Sequence, residues 1–147
     1  MNTFEFLSYM VDQEHNSLDQ LYERLDDNKL QHPLSGRTNE TDTIGSRLAH
    51  LIGAEYRMAT YLYQQEDDIE DFAVDGSSLA DIMTKSDQAK ARHQLTLDHL
   101  NMEDLGKTWT SERTGKEYEY KFLLWHFVEH IATHRGQVTM TVNGLDA

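Results

Sequence analysis

Phe122-Leu-Leu-Trp-His-Phe-Val-Glu-His-Ile-Ala-Thr-His-Arg-Gly-Gln-Val138 is an apolar run broken by His126, His130 and His134 at four-residue spacing. A four-residue step along an α-helix advances about 400°, so each imidazole stands above the last with roughly 40° of drift, and neighbouring pairs can grip one ion. The stretch is therefore half of a metal site. A catalytic ion commonly takes three protein ligands and keeps one position open, and imidazole suits zinc, nickel, iron and copper. His50 is the third-ligand candidate. It lies in Ser46-Arg-Leu-Ala-His-Leu-Ile-Gly-Ala-Glu-Tyr-Arg-Met58, flanked by Leu48, Leu51, Ala54 and Met58, and this setting predicts a side chain pointing toward the core.

The chain has eight histidines, and any one alone is ordinarily a surface or core residue. Several on one apolar face are harder to explain, because each unsatisfied buried polar group costs about 1–3 kcal/mol. A shared cation removes that cost.

Outward from the histidines, the chain reads as four amphipathic helices. Thr3 to Leu25 carries Leu7, Met10, Val11, Leu18, Leu21 and Leu25 at helical intervals, with Asn2 or Thr3 as cap. Glu14 and His15 interrupt that stripe, marking either a polar pocket or, the more ordinary case, an exposed edge. Residues 26–42 collect Asp, Asn, Gly and the only proline, Pro33, and read as a loop. A second helix runs from Thr41–Thr43 to about Gln65, with Leu48, Leu51, Met58, Tyr61 and Leu62 inward.

The acidic cluster Asp67-Asp68-Ile-Glu-Asp71 reads as solvated turn. Ser77-Ser-Leu-Ala-Asp81 opens a third helix with a serine cap and an acid in its first turn. That helix places Leu79, Ile82, Met83, Ala89, His93, Leu97 and Leu100 on one side and ends near Asn101. His93 breaks its stripe, and the ordinary reading is a satisfied core histidine. Lys107-Thr-Trp-Thr110 and Lys116-Glu-Tyr-Glu-Tyr120 flank Ser111 to Gly115, which suggests a short hairpin or extended excursion. The histidine helix follows at about 121–142. The expected fold is all-α: one domain, 1–147, an antiparallel four-helix bundle whose second and fourth helices supply the ligands.

A chain of 147 residues buries roughly 68–70% of its unfolded surface, enough for one proper core. No apolar run reaches membrane-spanning length and the N-terminus lacks a signal-peptide pattern, so a soluble cytoplasmic protein is expected. With no cysteine, any metal is held by nitrogen and oxygen. A net charge of −13 disfavours nucleic acid and anionic membrane as partners; it also matches a high-salt habitat.

His126-Phe-Val-Glu-His130 has the His-x-x-Glu-His spacing of inverted zinc proteases, but too few residues follow to supply their downstream acidic ligand. The His-Glu-x-x-His form is missing, since Ile131 stands where the base belongs. Glu-x-x-His pairs for a di-iron site, a Gly-x-Ser-x-Gly elbow and a phosphate-binding glycine loop are also missing.

The ending His126-Phe-Val-Glu-His130-Ile-Ala-Thr-His134-Arg-Gly-Gln137, preceded by a helix with Leu48-Ala-His-Leu-Ile-Gly-Ala-Glu55, resembles the DinB-like or YfiT-like superfamily of metal-binding four-helix bundles. The resemblance spans most of the chain. It implies one divalent ion per chain, zinc or nickel, on His50, His130 and His134, with His126 as a pocket residue. Arg135, Gly136 and Gln137 match the motif: Gly136 would permit close helix packing, and Arg135 would pair with an acid. Members include thiol S-transferases, a mycothiol-dependent isomerase and proteins without known activity, often dimers, so the resemblance implies a small-molecule substrate and a homodimer.

The leading expectation is a metal-dependent transferase or hydrolase in which an ion with three neutral ligands keeps its full charge and promotes ionisation of a thiol or water near neutral pH. Glu14, His15, His93 and His126 are the catalytic pocket candidates, with Tyr61 behind them. Arg57 or Arg135 would receive an anionic low-molecular-weight thiol. The rival class is a non-catalytic stress-response or structural protein whose metal staples the helices, a closed site in which His126 or Glu14 adds a fourth ligand. A plain helical protein that binds metal adventitiously is the third.

Overall fold

The computed structural model describes residues 1–36, 42–63 and 71–147. It is all-α apart from one small hairpin: α1 (Thr3–Tyr22), a single turn α2 (Asp27–Leu30), α3 (Ile44–Tyr63), α4 (Leu79–His99), a short 3-10 turn (Met102–Gly106), β1 (Thr108–Thr110), β2 (Glu117–Glu119) and α5 (Tyr120–Asp146). The four long helices follow the apolar periodicity. On α1 the buried positions are Leu7, Val11, Glu14, Leu18 and Leu21, spaced by three and four. On α3 the series Leu48, Leu51, Ile52, Glu55, Ala59 and Leu62 does the same.

Local chemistry sets the helix starts. Asn2 accepts from the Glu5 backbone N–H while the Glu5 carboxylate accepts from the Asn2 N–H, a reciprocal capping box. The expected serine cap of α4 is Ser78, which accepts from Asp81 N–H. The predicted loop 26–42 contains α2, capped by Asp26; four residues give no period to read. α5 runs four residues beyond the expected end. The expected excursion is an antiparallel hairpin with Trp109 opposite Tyr118. The expected end of the second helix at Gln65 and the acidic turn at 67–70 lie outside the described residues.

α3 packs on α4 and α5, and α1 packs on α5 and α4. One apolar cluster gathers Leu18, Leu21, Leu48, Ile52, Ile82 and Val138; a second, toward the hairpin, gathers Leu7, Val11, Leu62, Leu97, Leu124 and Phe127. Their burial is the main favourable term, at about 1.5–3 kcal/mol for each large side chain. A close backbone approach fixes the start of α3: a Cβ on Gly45 would stand 1.8 Å from the Gly76 carbonyl oxygen. Only glycine fits there.

Met83, Glu14 and Gly136 depart from the sequence expectation. Met83, placed inward, is 46% exposed. Glu14, read first as an exposed edge, is buried. Gly136 has open space around it, so it serves no close helix packing. No described helix is long and apolar enough to cross a membrane.

Candidate metal centre

α3 and α5 bring His50, His130 and His134 together, with a ring nitrogen of each within 4.8 Å of the others. His130 and His134, one turn apart, face each other at 90° with ring centroids 4.3 Å apart and Nε2 atoms at 3.1 Å. His50 completes the triangle at 5.2 Å from each ring. The ligand atoms of a tetrahedral zinc site stand roughly 3.3–3.5 Å apart for metal–nitrogen bonds of about 2.0–2.1 Å. The His130–His134 pair is close to that spacing, and His50 stands within 4.8 Å of both.

The rings are held in a ligating form. Gln137 Oε1 lies 2.9 Å from His134 Nδ1; a proton on that nitrogen, donated to Gln137, would leave the Nε2 lone pair facing His130. Arg47 stands 3.4 Å from the same Nδ1 and is itself paired with Asp42. Burial, followed by the charges of His134, His50, His126 and Arg47, pushes His130 down to about 4. Burial and the same kind of neighbours lower His50. These two imidazoles are neutral at pH 7, so a cation meets lone pairs and displaces no proton from them. The donor set fits a divalent cation.

His50 does not point into the core as expected. It is exposed, at the mouth of a cavity of about 1070 Å³ that also meets His130. Tyr61, Trp109, Arg57 and Arg113 stand on its walls, with Tyr61 and Trp109 stacked at 5.0 Å. The cluster thus has a closed side of helix and an open side of cavity.

That arrangement carries a family. The model of the DinB superfamily matches residues 10–138 of the chain. This protein belongs to the DinB superfamily. The match contains all three clustered histidines and most of the four long helices. No curated protein sequence matches closely enough to count as a relative.

The other sequence candidates in this DinB superfamily protein fall in three places. His126 lines the cavity, stacks on Phe122 with nearly parallel rings at 5.8 Å, and sits 5.6 Å from the His130 ring. Its Nδ1 is paired with Glu129 at 3.2 Å. Glu14 accepts from Arg135 Nε at 2.8 Å, tying α1 to α5, and neither lines the cavity. His15 and His93 lie together on Glu55.

Glu55 escaped the sequence reading as a site residue, although the signal was present: a carboxylate in the phase of Leu48, Ile52, Ala59 and Leu62 must be buried. It is 5% exposed. Burial alone would raise its pKa, but the hydrogen bond from His15, the contact with His93 and the charges of both rings outweigh that and hold it at about 2.

Proposed function

We propose that this protein is a metal-dependent enzyme of the thiol S-transferase type, acting on a small electrophile. The single observation behind this is a triad of imidazoles with one side open to a cavity large enough for two small reactants. Zinc or nickel held there supplies the positive charge that lowers the pKa of a thiol or a water. His50, His130 and His134 are the ligands, and Gln137 orients His134. His126 is turned to Glu129 and does not close the set, which favours an open site over a stapling one.

Arg57 and Arg113 give the cavity two cations on a chain of net charge −13. We assign them the reception of an anionic thiol, a role unsuited to Arg135, whose guanidinium is engaged by Glu14. Trp109 and Tyr61 offer flat apolar surface to the electrophile. This reading includes an antiparallel four-helix bundle for the long helices and a homodimer in solution, which light scattering tests.

The deciding experiment strips the protein of metal, restores zinc or nickel, and follows conjugation of cysteine, glutathione and bacillithiol to a bromobimane electrophile. Activity should require metal, fall at least 100-fold in His130→Ala, and show a raised KM for an anionic thiol in Arg57→Ala. Turnover that is indifferent to metal and to His130→Ala, or none with any thiol, overturns the proposal.

A further inference from the structure

We propose that His15, Glu55 and His93 form a second cation site, distinct from the His50 cluster, in which two imidazole nitrogens and a carboxylate bind a first-row divalent ion and tie α1, α3 and α4 together. One donor comes from each helix, and the three donor atoms lie within 4.8 Å of one another. His15 Nε2 stands 3.0 Å from both Glu55 oxygens. His93 Nδ1 is 3.7 Å from Glu55 Oε2, beyond hydrogen-bond reach. Ligand atoms around a tetrahedral ion stand roughly 3.3–3.5 Å apart, between those two separations. The His15 and His93 rings meet edge to face with centroids 5.8 Å apart, so all three donors converge on one point between the helices.

His93 is the observation that a plain ion pair leaves unexplained. It is fully buried, and neither of its ring nitrogens has a hydrogen-bond partner among the described residues. A His15–Glu55 salt bridge satisfies two of the three groups and leaves this one orphaned, whereas a cation uses its lone pair. The donor chemistry is also balanced. One carboxylate against a dication leaves a net charge of one, and two nitrogens with one oxygen suit zinc or ferrous iron over calcium or magnesium.

Solvent reaches one of the three donors. A cleft of about 440 Å³ reaches His15, with Asp12 and Asp19 at its mouth and Lys90 paired to Asp19. The two clusters share α3 and face different ways from it: His50 and Glu55 are five residues apart, about 7.5 Å along the axis and about 140° around it. Each can be removed without touching the other.

The test uses the full, untagged chain, stripped with chelator, saturated with zinc, gel-filtered and assayed for zinc per chain by elemental mass spectrometry. Wild type should carry two ions, His50→Ala/His130→Ala one, His93→Phe one, and the combined variant none; zinc should raise the melting temperature of His50→Ala/His130→Ala but not that of the combined variant. If His93→Phe fails to fold by circular dichroism, Glu55→Gln replaces it, keeping the side-chain shape without the charge. A folded His50→Ala/His130→Ala protein with no zinc overturns the inference, as does a wild-type ion count that neither His93→Phe nor Glu55→Gln lowers. Failure of the first cluster alone reads differently: wild type and His50→Ala/His130→Ala then carry the same single ion, lost in His93→Phe.

Discussion

His130 and His134 stand one turn apart on a single helix and need only His50 from across an interface, whereas His15, Glu55 and His93 are drawn from three helices. The first cluster is made of imidazoles alone and opens on a cavity; the second carries its own carboxylate, and Glu55 and His93 are buried. Neutral imidazoles can wait at an edge at small cost, since water and a neighbouring amide satisfy them. A buried carboxylate cannot, and two rings must converge on it before the chain can fold around it. One cluster is arranged for access and the other for cohesion.

The largest expected effect breaks this contrast if it fails. Glu55→Ala removes the buried carboxylate that pairs with His15 and should destabilise the metal-free protein by about 3–5 kcal/mol, while His50→Ala, at an exposed position, should cost about 0.5 kcal/mol or less. Urea unfolding of both variants measures the difference, and similar losses would mean that the two clusters do the same job.

Acid should separate the clusters next. His130 is held at about 4 against an ordinary 6.5, so between those pH values the unfolded chain binds a proton that the folded one lacks. Stability of the metal-free protein should therefore decline as pH falls from about 6.5 to about 4, by about 2 kcal/mol after allowing for a half-exposed ring. Glu55 works in a lower window. Its carboxyl is held at about 2 against an ordinary 4.5, so its contribution is complete above about 4.5 and fades only as pH falls toward 2. Urea midpoints at pH 7, 5 and 3 should show the upper decline flattened by His130→Ala; an unchanged decline would assign it to other groups.

The smallest effect sharpens the comparison at α1, which makes both kinds of tie. Beside the buried His15–Glu55 contact, the Glu14–Arg135 pair is partly open to solvent. Arg135→Ala should cost about 1 kcal/mol or less and leave zinc content unchanged. A loss as large as that of Glu55→Ala would put this pair among the cohesive elements.

The four long helices were legible because their apolar residues recur at three and four, and His130 with His134 was legible for the same reason. His50 was found by the phase of its helix, although that phase puts it at a cavity mouth. The second cluster left no motif: its residues are far apart in sequence, and only folding makes them neighbours. Its trace was the polar interruption of apolar stripes at His93 and Glu55, as at Glu14. Helical phase buried all three regardless of polarity, and a charged residue in an inward phase is better read as a demand for a partner than as an edge. What supplies that partner lies on another helix, beyond the reach of any local pattern.

Trp109 has a consequence of an optical kind. The chain contains two tryptophans; Trp125 is half-exposed on α5, while Trp109 stands on the cavity wall against Tyr61. With Trp125→Phe the remaining indole is one that lines the cavity, and its emission reports, without any label, whether a molecule has come to rest beside the histidines.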